Sequence, residues 1–188
     1  MDISTLRLQL REFSEDDFAA LREIEADVEV LRYRSRKTIS EDDTREFLRD
    51  CQRLRLTSGR MKYPWAIVLR QENHLVGQVG LTRFQEPAGG AFLWYSLNRL
   101  YWGGGIMSEA LAAVLEYGFN QLDLSSIHAS CHADNRASWR VMERAGLRRL
   151  DGRNVESPTG GVYVEYHYAL TRAEWVTAAS ASHLSNSS

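Results

Sequence analysis

The sequence predicts an α/β domain: a central mixed, mostly antiparallel sheet flanked by helices. Two observations carry this reading. Three strand-like apolar runs, at residues 65–69, 75–84 and 91–97, follow one another across short polar turns, an order that makes neighbouring strands antiparallel. Beyond residue 97 the pattern changes to strand–helix–strand, a crossover that sets two strands parallel. The chain has 188 residues, 44% hydrophobic and 26% charged, which suits one domain with a sizeable core.

The elements follow in order. Leu6, Leu8 and Leu10 alternate with Arg7, Gln9 and Arg11, the period of a half-buried strand. Ser14-Glu15-Asp16-Asp17 reads as a helix start: Ser14 caps, Asp17 stands at the third helical position, and Phe13 and Phe18 are spaced as a hydrophobic staple. Phe18, Leu21, Ile24 and Val28 continue at helical spacing. The tetrapeptide returns as Ser40-Glu41-Asp42-Asp43 ahead of Phe47, Leu48, Cys51 and Leu54. Its flanks differ from the first, so two separately capped helices are expected rather than a repeat. Gln71-Glu72-Asn73 separates the first two of the three strands, and Pro87, Gly89 and Gly90 separate the next two. Ile106, Ala110, Leu111, Val114, Leu115, Gly118 and Leu122 then share one helical face. Residues 127–132 form the next strand. Asp134 or Asn135 caps a helix carrying Ala137, Val141 and Ala145, and Gly146 is placed to end it in the left-handed conformation. Beyond a loop holding Pro158, Gly160 and Gly161, the alternation of Val162, Val164, Tyr166, Tyr168 and Leu170 closes the chain with one or two strands. A single domain covers 1–177, and the small polar residues 178–188 read as a disordered tail.

Bulk properties exclude several classes. A formal net charge of −2 leaves no electrostatic footprint for nucleic acid. No apolar run approaches the roughly 20 residues that span a bilayer. Met1-Asp2-Ile3 opens no signal segment, so a cytoplasmic location is expected. Cys51 and Cys131 each fall among apolar neighbours and read as buried small hydrophobes, not as a disulfide or a metal pair.

The most informative stretch is Tyr101-Trp102-Gly103-Gly104-Gly105-Ile106-Met107-Ser108-Glu109-Ala110. Three glycines leave a row of main-chain N–H groups unobstructed, and the helix start adds unpaired donors and the positive end of its dipole. Together these make a docking place for a phosphate-bearing ligand. A glycine-rich turn with no ligand is the alternative reading.

This order and these residues resemble the GNAT superfamily of acetyl-CoA-dependent N-acetyltransferases, in particular the branch that acetylates ribosomal-protein N-termini. The likeness runs from about Thr5 to Trp175. Tyr101-Trp102-Gly103-Gly104-Gly105 with Ser108-Glu109-Ala110 is similar to the branch's Tyr-Trp-Gly-x-Gly and Thr-Glu-Ala. Asn135-Arg136-Ala137-Ser138 with Gly146-Leu147 is similar to its Asn-x-x-Ser and terminal Gly-Phe, and the ending Tyr168-Ala169-Leu170-Thr171 with Glu174-Trp175 also fits. The resemblance implies a splayed pair of parallel strands, at 91–97 and 127–132, with the pantetheine arm of acetyl-CoA between them. It implies cofactor contacts from Tyr95, Ser96 and Leu97, from Trp102, Gly103, Gly104, Gly105, Ile106, Met107 and Ser108, and from Asn135 and Ser138; Asn135 also reads as a plain helix cap. No metal is implied, and a homodimer is compatible with it.

The implied chemistry is transfer of acetyl to a primary amine, on a protein N-terminus or a small molecule, by direct attack. The amine must be neutral, the oxyanion needs a donor, and the departing thiolate a proton. Many relatives supply that proton from a tyrosine where this chain has Met142. Ser138 matches the branch's serine in that role, and it also reads as an ordinary first-turn serine. A glutamate that serves as or positions the base in many relatives is Phe92 here, which leaves Glu165, His132 or a water chain as candidates; either residue also has a purely structural reading. Leu100 replaces the loop's common Gln or Arg. The charges Glu23, Glu25, Asp27 and Glu29, then Arg32, Arg34, Arg36 and Lys37, read as solvated helix faces. With two frequent catalytic positions replaced, a catalytically weak CoA-binding sensor on the same fold is the second reading.

Overall fold

The computed structural model describes residues 2–34, 38–86, 88–157 and 160–185, with side chains as far as Ala181. A hairpin of β1 (Ile3–Ser4) and β2 (Leu8–Arg11) leads into α1 (Phe18–Ala26), α2 (Val28–Leu31) and α3 (Glu41–Arg55). Three consecutive strands follow: β3 (Lys62–Leu69), β4 (His74–Arg83) and β5 (Gly90–Leu97). Then come α4 (Ile106–Asn120), β6 (Ser126–His132), α5 (Arg136–Arg144), β7 (Arg148–Glu156), β8 (Val162–Thr171) and α6 (Arg172–Ser185). The eight strands form one sheet in the order β1-β2-β3-β4-β5-β6-β8-β7, antiparallel everywhere except between β5 and β6.

Both faces of the sheet are covered, and β3 shows why its sequence is apolar without a break. Tyr63, Trp65 and Ile67 pack in the core that holds Ala110, Leu111, Val114 and Phe119 of α4. Ala66 and Val68, pointing the other way, join Leu21 and Ile24 of α1 and Leu48 and Cys51 of α3. Pro64 fits within this strand because β2 pairs only as far as Ala66, so the missing N–H falls beyond the neighbour's end. Gly118 lets α4 approach closely: a Cβ there would lie 2.8 Å from the Ile127 side chain. Gly146 ends α5 with φ 93°, as the sequence requires.

The pairing of β5 positions everything functional. On one side it pairs with β4 along its length, from Gly77↔Leu97 to Arg83↔Ala91. On the other it meets β6 only at Gly90↔Ser126, Ala91↔Ile127 and Phe92↔His128. β6 is paired with β8 throughout, from Ser126↔Thr171 to His132↔Glu165. Beyond Phe92 and His128 the two strands part, and the facing edges at 93–97 and 129–132 open into a wedge.

Several expectations need correction. Leu6 lies outside the strand and is 89% exposed, because Thr5 N–H donates to Leu8 O (2.9 Å) and Leu8 N–H to Thr5 Oγ1 (3.0 Å), folding Leu6 to the tip of a turn. The first long helix breaks at Asp27, whose backbone is extended and whose carboxylate caps α2 by accepting from Glu29 N–H; Val28 is therefore exposed. The polar residues 148–156, without an apolar alternation to mark them, form the edge strand β7. The segment from Ala178, expected to be disordered, is helical through Ser185, and 186–188 lie outside the described residues.

The entry to α1 is fixed by a bidentate pair. Arg11 Nη1 and Nη2 each lie 2.7 Å from an oxygen of Asp17, which is 4% exposed and also accepts from Ser14 N–H at 2.8 Å. Removing the anion leaves the guanidinium without its partner. Asp17→Ala should cost about 3 kcal/mol in stability, read from the urea unfolding midpoint; a loss below about 0.5 kcal/mol would show that the pair contributes no more than an ordinary surface contact.

Candidate functional site

Gly103 and Gly105 have φ values of 78° and 74°, the left-handed region that glycine tolerates best. They turn the chain so that Gly105 becomes the cap residue of α4, where no side chain accepts the helix's first donors. The first intrahelical bond runs from Glu109 N–H to Gly105 O, so Ile106, Met107 and Ser108 present their N–H groups outward. Trp102 ties the loop to the sheet, its Nε1–H donating to Leu97 O at the end of β5 (2.9 Å).

The back of the loop is held by residues from the other end of the chain. Glu109 accepts from Thr5 Oγ1–H (2.5 Å), Arg7 N–H (2.9 Å) and Arg7 Nε–H (2.6 Å), while Arg7 Nη1 donates to Gly104 O (2.9 Å). Burial by itself would raise the Glu109 carboxyl, but these donors outweigh it and hold the group below the ordinary carboxylate range. The clamp fixes Gly104 from behind and leaves the donor row on the opposite side. It was missed in the sequence because its partners lie about a hundred residues apart.

The wedge between β5 and β6 has chemistry on both faces. Tyr95 points toward α5, where its hydroxyl lies 2.8 Å from Ser138 Oγ and donates within reach of Ser138 O at 3.1 Å. Burial pushes the Tyr95 hydroxyl well above its ordinary pKa, so it remains a neutral partner. Ser138 sits in the first turn of α5, with its N–H capped by Asn135 Oδ1 at 3.1 Å. The cap reading of Asn135 is thus realised, and its amide nitrogen is not used for it. Cys131, on β6, has its thiol pushed up to about 11 by burial, which leaves it protonated at neutral pH. On the other face, Ser96 Oγ is buried with no hydrogen-bond partner among the described residues. A buried orphan hydroxyl in a cleft is a place for a ligand's polar group.

The candidate catalytic and cofactor-binding residues all line one cleft of about 750 Å³ except Gly104, held in the clamp, and Glu165. Glu165 lies across from His132 on β8, its carboxylate 3.2 Å from His167 Nε2. His132 does line the cleft, stacked on Tyr163 (centroids 4.8 Å apart, 8° between planes). Its Nδ1 accepts from Asp134 N–H at 3.1 Å. Met142 is buried in the core, and half-buried Phe92 forms part of the cleft wall.

The far wall comes from α1, the turn after α2, and α3. Glu25, read from the sequence as part of a solvated face, is 6% exposed and lines the cleft with Arg34 and Phe47. The available signal was position: Glu25 follows Leu21 by four residues, on the buried face of α1. Arg36 and Lys37 lie outside the described residues. Among the described residues no group of three or more His, Cys, Asp or Glu is placed to hold a metal ion, and no helix is long and apolar enough to cross a membrane.

Comparison with known proteins agrees with this geometry. The model of the acetyltransferase (GNAT) domain family matches residues 7–148. A Bacillus subtilis (strain 168) protein named uncharacterized N-acetyltransferase YnaD is 32% identical over 176 residues, covering 93% of this chain and 99% of its own. The crystal structure of a GNAT-family acetyltransferase from Bacillus anthracis is similar at a TM-score of 0.79 and 30% identity, covering 91% and 98% of the two chains. Mycobacterium smegmatis RimJ in complex with CoA-disulfide shares the fold at a TM-score of 0.77 and 23% identity, covering 93% and 88%.

The Glu109 clamp makes a signed prediction. A carboxyl held below its unfolded value contributes stability that is complete above about pH 4.3, the ordinary glutamate value, and is lost as pH falls through the lower folded value. Glu109→Ala should therefore melt below the parent at neutral pH, with a gap that stays constant down to about pH 5 and narrows in more acidic solution. A gap that widened toward acid, in melts followed by circular dichroism, would contradict the clamp.

Proposed function

This chain belongs to the GNAT acetyltransferase family, and we propose that it moves acetyl from acetyl-CoA to a primary amine, on a protein N-terminus or a small molecule, by direct attack with both substrates bound. The observation that carries the proposal is the continuity of one cleft, from the uncapped donors at the start of α4, through the open edges of β5 and β6, to the wall built by α1 and α3. Acetyl-CoA is the co-substrate of this family of N-acetyltransferases.

The chain's own residues divide the work along that cleft. Main-chain N–H groups from Gly103 to Ser108 hold the pyrophosphate, helped by the field of α4. Leu100, 83% exposed, adds no charge there, so binding at this end rests on backbone donors. The open edge at 93–97 offers donors and acceptors to the pantetheine amides, and the amide nitrogen of Asn135, which the cap leaves free, adds another donor among the described residues. A main-chain N–H on the same edge stabilises the oxyanion as the amine attacks. Cys131, protonated and buried, is a poor nucleophile, which favours transfer without an acyl-enzyme; holding the two reactants together contributes much of the rate. Ser138, fixed by Tyr95 and the start of α5, gives the departing sulfur its proton.

The direct test is a broad panel of amines and peptides incubated with protein and acetyl-CoA, with free thiol and acetylated product followed by mass. No thiol released above background would count against transfer. Ser138→Ala should lower kcat roughly 100-fold, with the KM for acetyl-CoA little changed. An unchanged kcat would return Ser138 to an ordinary first-turn serine.

A further inference from the structure

We infer that Glu25 and Arg34 form the acceptor end of the cleft and select a zwitterionic amine, Glu25 taking the ammonium and Arg34 the anionic group. The inference rests on the amine-transfer reading and narrows its acceptor. It begins with a charge that the fold has gone out of its way to hold. Glu25 is 6% exposed, yet it lines the cleft. One carboxylate oxygen, Oε2, accepts from Thr44 Oγ1–H at 2.6 Å, and Thr44 in turn accepts from Arg22 Nη1 at 3.1 Å. Oε1 has no donor among the described residues. Asp43, the other carboxylate on this wall, is occupied by the cap of α3, accepting from Ser40 N–H at 2.7 Å. Glu25 is the carboxylate left for a ligand.

Arg34 supplies the opposite charge. It is half-buried in the same wall, and no hydrogen bond or ion pair among the described residues engages its guanidinium. Burial lowers its pKa, and the charge of Glu25 works against that effect, so the two sense each other without direct pairing. A half-buried guanidinium with no partner among the described residues favours an anion. A zwitterion neutralises both groups at once. A polyamine would satisfy Glu25 and bring its next ammonium toward Arg34. The chemistry also suits an α-amine, whose ordinary pKa of about 8 lies well below the 10.4 or so of an alkyl ammonium, so that less is asked of a carboxylate base. The ammonium gives one proton to Glu25, which passes it to water. The freed nitrogen forms the C–N bond and the C–S bond breaks; Ser138 protonates the departing sulfur, and the second proton of the nitrogen restores the Ser138 hydroxyl.

The experiment measures acetylation of three probe sets by the wild-type protein: free L-amino acids, the matching amino acid amides, and spermidine. Amino acids should be turned over with the highest kcat/KM, amides less well and spermidine least. Glu25→Gln, which keeps an acceptor for Thr44 but cannot take the proton, should raise the KM for the amine roughly 10- to 100-fold and lower kcat, with the KM for acetyl-CoA and the melting temperature unchanged. Glu25→Asp should recover part of the loss. Arg34→Gln should erase the preference for an amino acid over its amide. A wild-type preference for spermidine, or a Glu25→Gln protein as active as its parent, overturns the inference while leaving acetyl transfer intact. If no amine is acetylated at all, the transfer reading itself fails. The inference is then judged by calorimetric titration of the CoA complex with the same amino acids: binding by the wild type that Glu25→Gln loses supports it, and no difference between the two overturns it.

Discussion

β5 and β6 are in register for three residues each and then separate, and the site depends on that interruption. Had the pairing continued past Phe92 and His128, the main-chain groups at 93–97 and 129–132 would be satisfied by one another. A sheet opened from one side only must be rigid on the other. Here β4 holds β5 along its whole length and β8 holds β6, so the exposed edges are fixed in position. The wedge is thus a pre-formed set of donors and acceptors that needs no reordering to receive an extended, amide-bearing ligand.

A second constraint acts at the end of β5. The loop after it must turn sharply, bring its backbone to the surface of the cleft and start a helix within a few residues. Glycine at positive φ solves the geometry but leaves the loop without side chains to anchor it. The anchoring comes from outside: Thr5 and Arg7 reach Glu109 and Gly104 from behind, and Trp102 ties the front to Leu97. The donors can remain unpaired because the rest of the loop is secured.

The opposite wall obeys a different economy. Helices α1 and α3 meet through a polar chain, Arg22 to Thr44 to Glu25, inside an otherwise apolar contact. Each link is satisfied except the last, which faces the cleft. The same helices are fixed at their starts, by the Arg11–Asp17 ion pair before α1 and the Ser40–Asp43 capping box before α3, so the buried carboxylate is carried on a fixed frame. This wall and the wedge face each other across one opening.

Local physics made the strands, the glycine turn and the long α4 legible, because apolar period, positive-φ glycine and helix caps are written within a few residues of where they act. The two motifs at 101–110 and 135–138 likewise marked one side of the site. Tertiary pairing decided the rest. No local pattern says that β5 and β6 stop pairing at Phe92, that Glu109 will meet Arg7, or that Glu25 in a run of charges is buried while Glu165 stays out of the cleft. Nor does it say that Asp134 N–H will donate to His132 Nδ1. Periodicity shows which face of a helix or strand is apolar; it does not show which distant groups fold against that face, and the charge, tautomer and accessibility of each polar side chain are set by those neighbours.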